Sequence, residues 1–174
     1  MTRFAQVAAN MLVIAVASTT VLVSSRAVAQ SQFGTADEAR AMLLKAVAAV
    51  KADKAKAIDV FNKGAGGFLD RDLYPFCTNA SDGKFVALNS QRELLGQDIR
   101  RLTDVGGQAF GLAQFAAAQK PEGQITEVSY LVPNSGAHTT PLLKASFTTR
   151  AGDLVCGVTY YPMATFWSVE NPSF

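Results

Sequence analysis

Histidine is almost missing from this sequence. The single one, His138, stands in a turn-rich stretch with no serine or cysteine elbow beside it. It therefore lacks the neighbours that would make it a general base in a nucleophilic site. Cysteine is nearly as scarce. Cys77 and Cys156 are the only two, and two cysteines widely separated from one histidine match no zinc spacing. A phosphate loop and a dinucleotide fingerprint are both absent. The glycine-rich run at 64–67 precedes a strand-like stretch rather than a helix, which is the wrong context for holding phosphate. Asp82 and Asp104 sit in no acidic loop of EF-hand spacing and read as turn formers. These absences point away from an enzyme and away from any cofactor or metal.

A long hydrophobic run is also lacking. Arg3 gives a positive start, and a largely apolar stretch follows from Met11 to Val23, broken by Ser18, Thr19 and Thr20. A membrane span needs about 20 apolar residues, so this one is short. Ala27-Val28-Ala29 then offers small residues at the two positions a signal peptidase reads. The segment 1–29 reads as a cleaved secretory signal, with an uncleaved anchor as the competing reading. Arg3 and Arg26 leave with it, and it holds no acid, so 14 bases face 14 acids in the mature chain. A neutral chain lacks the surplus of Lys and Arg that phosphate backbones demand, which excludes nucleic acid as a partner. It has no electrostatic drive toward an acidic membrane either. The expected location is periplasmic or secreted, with no membrane insertion after cleavage. There, two cysteines read most simply as one disulfide, Cys77–Cys156. Two free buried thiols or one reactive thiol are the alternatives.

Residues 30–174 amount to one domain. Thr35-Ala-Asp-Glu38 is a capping box. Ala39, Met42, Leu43, Ala46, Val47, Val50, Ala57, Ile58 and Phe61 recur near helical spacing, predicting a helix of about seven turns if unbroken, closed by Gly64. Leu73 to Thr78 is strand-like, and Pro75 within it donates no ladder hydrogen bond, so a bulge or irregular edge is expected. Asn79 to Gly83 is turn chemistry and Lys84 to Leu88 returns as a hairpin. Residues 89–111 are irregular, and a short helix is expected at about Phe110 to Gln119. Strands alternate at Ile125 to Val132, Leu142 to Thr149 and Leu154 to Tyr161. In the last of these Leu154, Cys156, Val158 and Tyr160 share one face, and Val155, Gly157, Thr159 and Tyr161 the other. The order predicts an α+β layering: an antiparallel sheet with the long helix on one face and irregular segments over the other.

The stretch Asp72-Leu-Tyr-Pro-Phe-Cys-Thr-Asn-Ala-Ser-Asp-Gly83 carries a resemblance, together with Leu95-Gly-Gln-Asp98, Asp104 and Gly107 ahead of Phe110-Gly111, Lys144-Ala-Ser-Phe-Thr-Thr-Arg150 and Gly152-Asp-Leu-Val-Cys-Gly-Val-Thr-Tyr160. In that order, over about residues 35–161, the chain resembles the single Cache domain family, type 2, in its small exported form. The resemblance implies a PAS-like five-stranded antiparallel sheet with a long N-terminal helix packed on one face. It implies a sensor domain in signal transduction, binding a small molecule, often an organic acid or related metabolite, on the sheet face away from that helix. It also implies a separate membrane receptor or histidine kinase as partner, because neither a second span nor an output domain is expected in this chain. The tail 162–174 matches nothing in the family. The rival reading is a structural or protein-interaction module of the cell envelope, its pocket filled by side chains.

Within that frame Lys144 is the charge of most interest. It alternates with apolar residues in a strand, where an ammonium is unwelcome unless paired, near solvent or turned to a ligand carboxylate. Tyr74, Tyr130, Tyr160 and Tyr161 all lie in strands and offer apolar bodies with one hydrogen-bonding tip, which suits a small polar ligand. Core packing is the plainer reading of any single one; Tyr74, Tyr130 and Tyr160 are the candidates carried forward. Phe76 reads as core or pocket wall. Arg100 lies in the irregular segment and has the fork to clamp an anion, with a solvated arginine as its plainer reading.

Overall fold

The computed structural model describes residues 32–134 and 140–162. Within them lie α1 (Ala36–Ala52), α2 (Lys54–Lys63), β1 (Pro75–Asn79), β2 (Phe85–Leu88), α3 (Phe110–Phe115), β3 (Thr126–Val132), β4 (Leu142–Ala151) and β5 (Leu154–Tyr160), with single 3-10 turns at Arg92–Leu94, Ile99–Arg101 and Ala116–Gln119. The segment 1–29, expected from its sequence to be a secretory signal, His138 and the tail from 163 onward lie outside the described residues.

Thr35 caps α1 as its sequence predicts. Its hydroxyl accepts from the Glu38 amide, and the Glu38 carboxylate accepts from the Thr35 amide at 2.8 Å. The helix does not run through to Gly64. Asp53 adopts extended φ/ψ, and its carboxylate accepts from the Lys56 amide at 3.0 Å. An aspartate inside a run of Lys and Ala competes for main-chain amides and caps a new helix instead of continuing the old one. The expected long rod is thus two helices meeting at one residue. Gly64 ends the second at φ +63°, a conformation costly for any residue with a Cβ.

The five strands form one antiparallel sheet in the order β2-β1-β5-β4-β3. The apolar stripe of α1 (Ala39, Met42, Leu43, Ala46, Val47, Val50) and Ala57 and Phe61 of α2 pack on one face of it, against Ala87, Ala145, Phe147, Leu154, Val158 and Tyr160. Cys77 and Cys156 stand directly opposite each other in the β1–β5 register, and they form a disulfide on this helix-covered face. Both are fully buried.

Pro75 opens β1 rather than interrupting it, which is where a strand tolerates proline. The irregularity falls on β2 instead. Cys77 faces Ala87 and Thr78 faces Phe85, leaving Val86 as the extra residue. Asn62 of α2 locks this bulge from both sides of its amide: Nδ2 donates to the Val86 carbonyl at 3.1 Å, and Oδ1 accepts from the Leu88 amide at 2.9 Å. On the face away from α1, residues 89–119 fold over the sheet. Gly111 lets α3 cross the 99–101 turn closely, since a Cβ there would fall 1.8 Å from the Ile99 carbonyl oxygen.

Candidate functional site

The strand register decides which side chains share the face away from α1. Across β3 and β4, Tyr130 faces Lys144 and Val128 faces Ser146. Across β4 and β5, Ser146 faces Thr159. Across β1 and β5, Phe76 faces Gly157, and its ring lies where a Cβ on Gly157 would be, 2.4 Å from Cζ. Tyr74 packs beside Phe76 in an apolar cluster with Phe85, Leu88 and Ile99.

Lys144 is held between aromatic rings. Its Nζ is 5.0 Å from the ring centre of Tyr161 and 5.8 Å from that of Tyr74, within the range where an aromatic face attracts a cation. Among the described residues it forms no ion pair with any acid. Next to it the Tyr130 ring stacks on Phe110 with centres 4.0 Å apart. Burial pushes the Tyr130 hydroxyl well above the ordinary phenol range, and the nearby Tyr74 and Tyr161 push the same way. Gln114 of α3, only 2% exposed, lies near that hydroxyl and donates to Ser146 Oγ at 2.7 Å.

Asp72 completes the group from the loop before β1. Its Oδ1 accepts from the Gly34 amide at 2.6 Å, and its Oδ2 is buried with no hydrogen-bond partner among the described residues. Burial pushes its carboxyl above the usual range, opposed by the Gly34 hydrogen bond and by the charges of Lys144 and Arg71. The Thr159 hydroxyl, on the same sheet face, is likewise buried without a partner. The neighbouring Arg71 donates to the Phe33 carbonyl at 3.0 Å and reaches Glu38 at 2.8 Å. Residues 71 and 72 thus grip the stem of α1, and the Phe33 ring meets Tyr161 edge-on at 5.3 Å.

Of the residues singled out from sequence, Tyr74, Tyr130 and Lys144 come together, with Phe76 walling one side. Two do not join them. Arg100 turns its fork on Asp98 (Nε to Oδ1 2.9 Å, Nη2 to Oδ2 2.7 Å) and donates to the Asp82 carbonyl at 2.9 Å, so it braces a loop. The same contact, first among its causes, holds the Asp98 carboxyl down to about 2. Tyr160 lies on the helix-covered face, stacked on Phe147 at 5.1 Å, with its hydroxyl bonded to Glu127. Its parity with Cys156 carries it under α1. Asp72, Phe110 and Gln114 are the members that sequence reasoning missed, and Tyr161, one of the four strand tyrosines, joins the group in place of Tyr160. For Tyr161 the signal was its parity with Gly157 and Thr159. For Asp72 no signal existed beyond its place two residues before Tyr74.

Two open clefts lie at the opposite end of the sheet, around the β4–β5 turn. One, of about 430 Å³, is lined by Lys51, Lys54, Glu122 and Asp153. Its charges answer each other, Lys51 with Glu122 and Lys54 with Asp153, both at 2.7 Å. The other, of about 340 Å³, includes Asn79, Ser81, Gln119 and Arg150. Neither includes any of the aromatic residues around Lys144.

This arrangement is an α+β sheet with one face closed by helices and the other gathering aromatic, cationic and carboxylate side chains. Solved structures share the fold. A Cache chemosensory domain, whose structure is described as the basis for its carboxylic acid recognition, superposes with a TM-score of 0.55 at 17% identity, over 72% of this chain and 91% of that one. A methyl-accepting chemotaxis protein from Vibrio parahaemolyticus RIMD 2210633 gives 0.53 at 21% identity, over 72% and 86%. A periplasmic sensor domain of a chemotaxis protein gives 0.51 at 20% identity, over 72% and 88%. No family model and no curated protein matches the chain.

Proposed function

We propose that this chain is an exported sensor domain of the single Cache type 2 kind. It binds a small organic acid reversibly on the sheet face away from α1, and passes the signal to a separate membrane receptor or histidine kinase. In this reading 1–29 is the signal segment and 30–174 one sensor domain, acting in the periplasm or outside the cell. The observation that carries it is Lys144: an ammonium inside a strand, between the rings of Tyr74 and Tyr161, with no acid paired to it among the described residues. A ligand carboxylate supplies the counter-charge that no described acid provides. The shared fold with a carboxylic-acid-recognising Cache domain supports this reading. Binding needs no bond chemistry, only a difference in affinity between two states of the domain.

The test is a thermal-shift screen of the purified chain against two- to four-carbon carboxylates. A binder at 100 times its Kd stabilises by about 2.7 kcal/mol through linkage, and Lys144→Met should abolish that shift. The stack of Phe110 on Tyr130 and the burial of Gln114 favour a second reading, an envelope interaction module whose pocket is filled by its own side chains. No stabilising acid anywhere in the screen would select it.

A further inference from the structure

Asp72 has no place in a site built only for a carboxylate. Its unpartnered oxygen sits in the same group as Lys144, and the two opposite charges form no ion pair with each other among the described residues. A buried carboxylate oxygen with no donor is costly to keep. A plain organic acid would neutralise Lys144 while bringing a second negative charge toward Asp72, a repulsion that works against binding. We infer that the site takes a small molecule carrying both an ammonium and a carboxylate, with the free oxygen of Asp72 accepting from the ammonium and Lys144 answering the carboxylate. This inference rests on the function proposed above and narrows its ligand class.

The geometry fits such a molecule on three counts. Asp72 is oriented by its bond from the Gly34 amide, so one oxygen is fixed and the other has a set direction. The Lys144 ammonium lies against two aromatic faces, which hold a cation without neutralising it. The Thr159 hydroxyl, also unpartnered on this face, offers a further acceptor or donor. Asp72 thus selects partly by exclusion, favouring the ligand that brings its own cation and penalising the acid that does not.

The experiment is calorimetric titration of the purified chain with matched pairs that differ by one amine: propionate against alanine and β-alanine, and butyrate against 4-aminobutyrate. An amino member should bind at least about tenfold more tightly than its amine-free partner, as expected for one charge-assisted hydrogen bond. Asp72→Asn keeps an oxygen for the Gly34 amide, so the stem of α1 stays anchored. It should erase that preference and tighten the amine-free acid. Circular dichroism of the variant separates a lost preference from a lost fold, and Asp72→Glu, which restores the charge, should recover part of the preference. Equal affinity within each pair, unchanged in Asp72→Asn, would overturn this inference and leave the proposed acid sensor standing. Silence of the whole set, acids and amino acids alike, would overturn both.

Discussion

The two faces of the sheet are built on opposite terms. Under α1 and α2 the side chains are Ala, Val, Leu, Met, Phe and one disulfide, close-packed. The polar groups there are bonded: Tyr160 to Glu127, and Thr149, which faces Cys156, to the Gln124 carbonyl. On the other face Thr78, Ser146, Thr148, Gln114 and Thr159 are buried near aromatic rings, and the hydroxyls of Thr78 and Thr159 find no partner among the described residues. A core selected for stability alone does not collect unsatisfied groups. The contrast gives the helix-covered face the make-up of a plain core, and the second face polar groups that such a core does not collect.

The sharpest way to break this contrast is to remove the bridge. The double variant Cys77→Ala/Cys156→Ala opens a loop of 79 residues and should cost about 4 to 5 kcal/mol in the chain-entropy picture, read from urea denaturation. A loss below about 1 kcal/mol would mean the helix-covered face does not depend on it. Thr159→Val on the opposite face should go the other way. Taking out a buried hydroxyl without a partner is expected to be neutral or to stabilise by up to about 1 kcal/mol. A clear loss in the same assay would show that the hydroxyl is satisfied and would dissolve the distinction.

The smallest effect is in acid, and its sign differs between the two carboxylates that hold the stem of α1. Glu38 is held down to about 2, first by Arg71 and then by the Thr35 amide. The folded state therefore gains from its charge above pH 4.5 and loses that gain as pH falls from 4.5 toward 2. Its side chain is 46% exposed, which limits the effect to a few tenths of a kcal/mol. Asp72 is raised by burial, so its contribution is full at low pH and declines as pH rises past 3.8. Denaturation curves from pH 2 to 7 should show Glu38→Gln flattening the acid limb, and Asp72→Asn gaining relative to wild type as pH rises. The same sign for both variants would refute the assignment.

Much of this could be read from residues alone, for identifiable reasons. Period-two alternation in β4 and β5 placed Lys144, Ser146 and Thr148 on one face and Ala145 and Phe147 on the other, as the register has them. The capping box at Thr35 and the closing glycine of α2 were local chemistry, and local chemistry survives folding. The break at Asp53 was hidden because the apolar spacing continues through it. Tyr160 stands apart from the group for a long-range reason and Arg100 for a largely local one. Which side of β5 the helices cover is not encoded in β5, and Arg100 finds its acid only once the 98–101 turn has formed. Asp72 was invisible because the amide that orients it belongs to Gly34, 38 residues before it.

The strand order also carries a consequence in time. β1 is flanked by β2, only a turn away, and by β5, which contributes Cys156 far downstream. A nascent chain emerging from its amino end holds the first hairpin with one edge open until residues near 160 have followed it. Until then Cys77 waits as a thiol, and the middle of the sheet cannot knit. Both the bridge and the central strand pairing therefore depend on the last strand to be made.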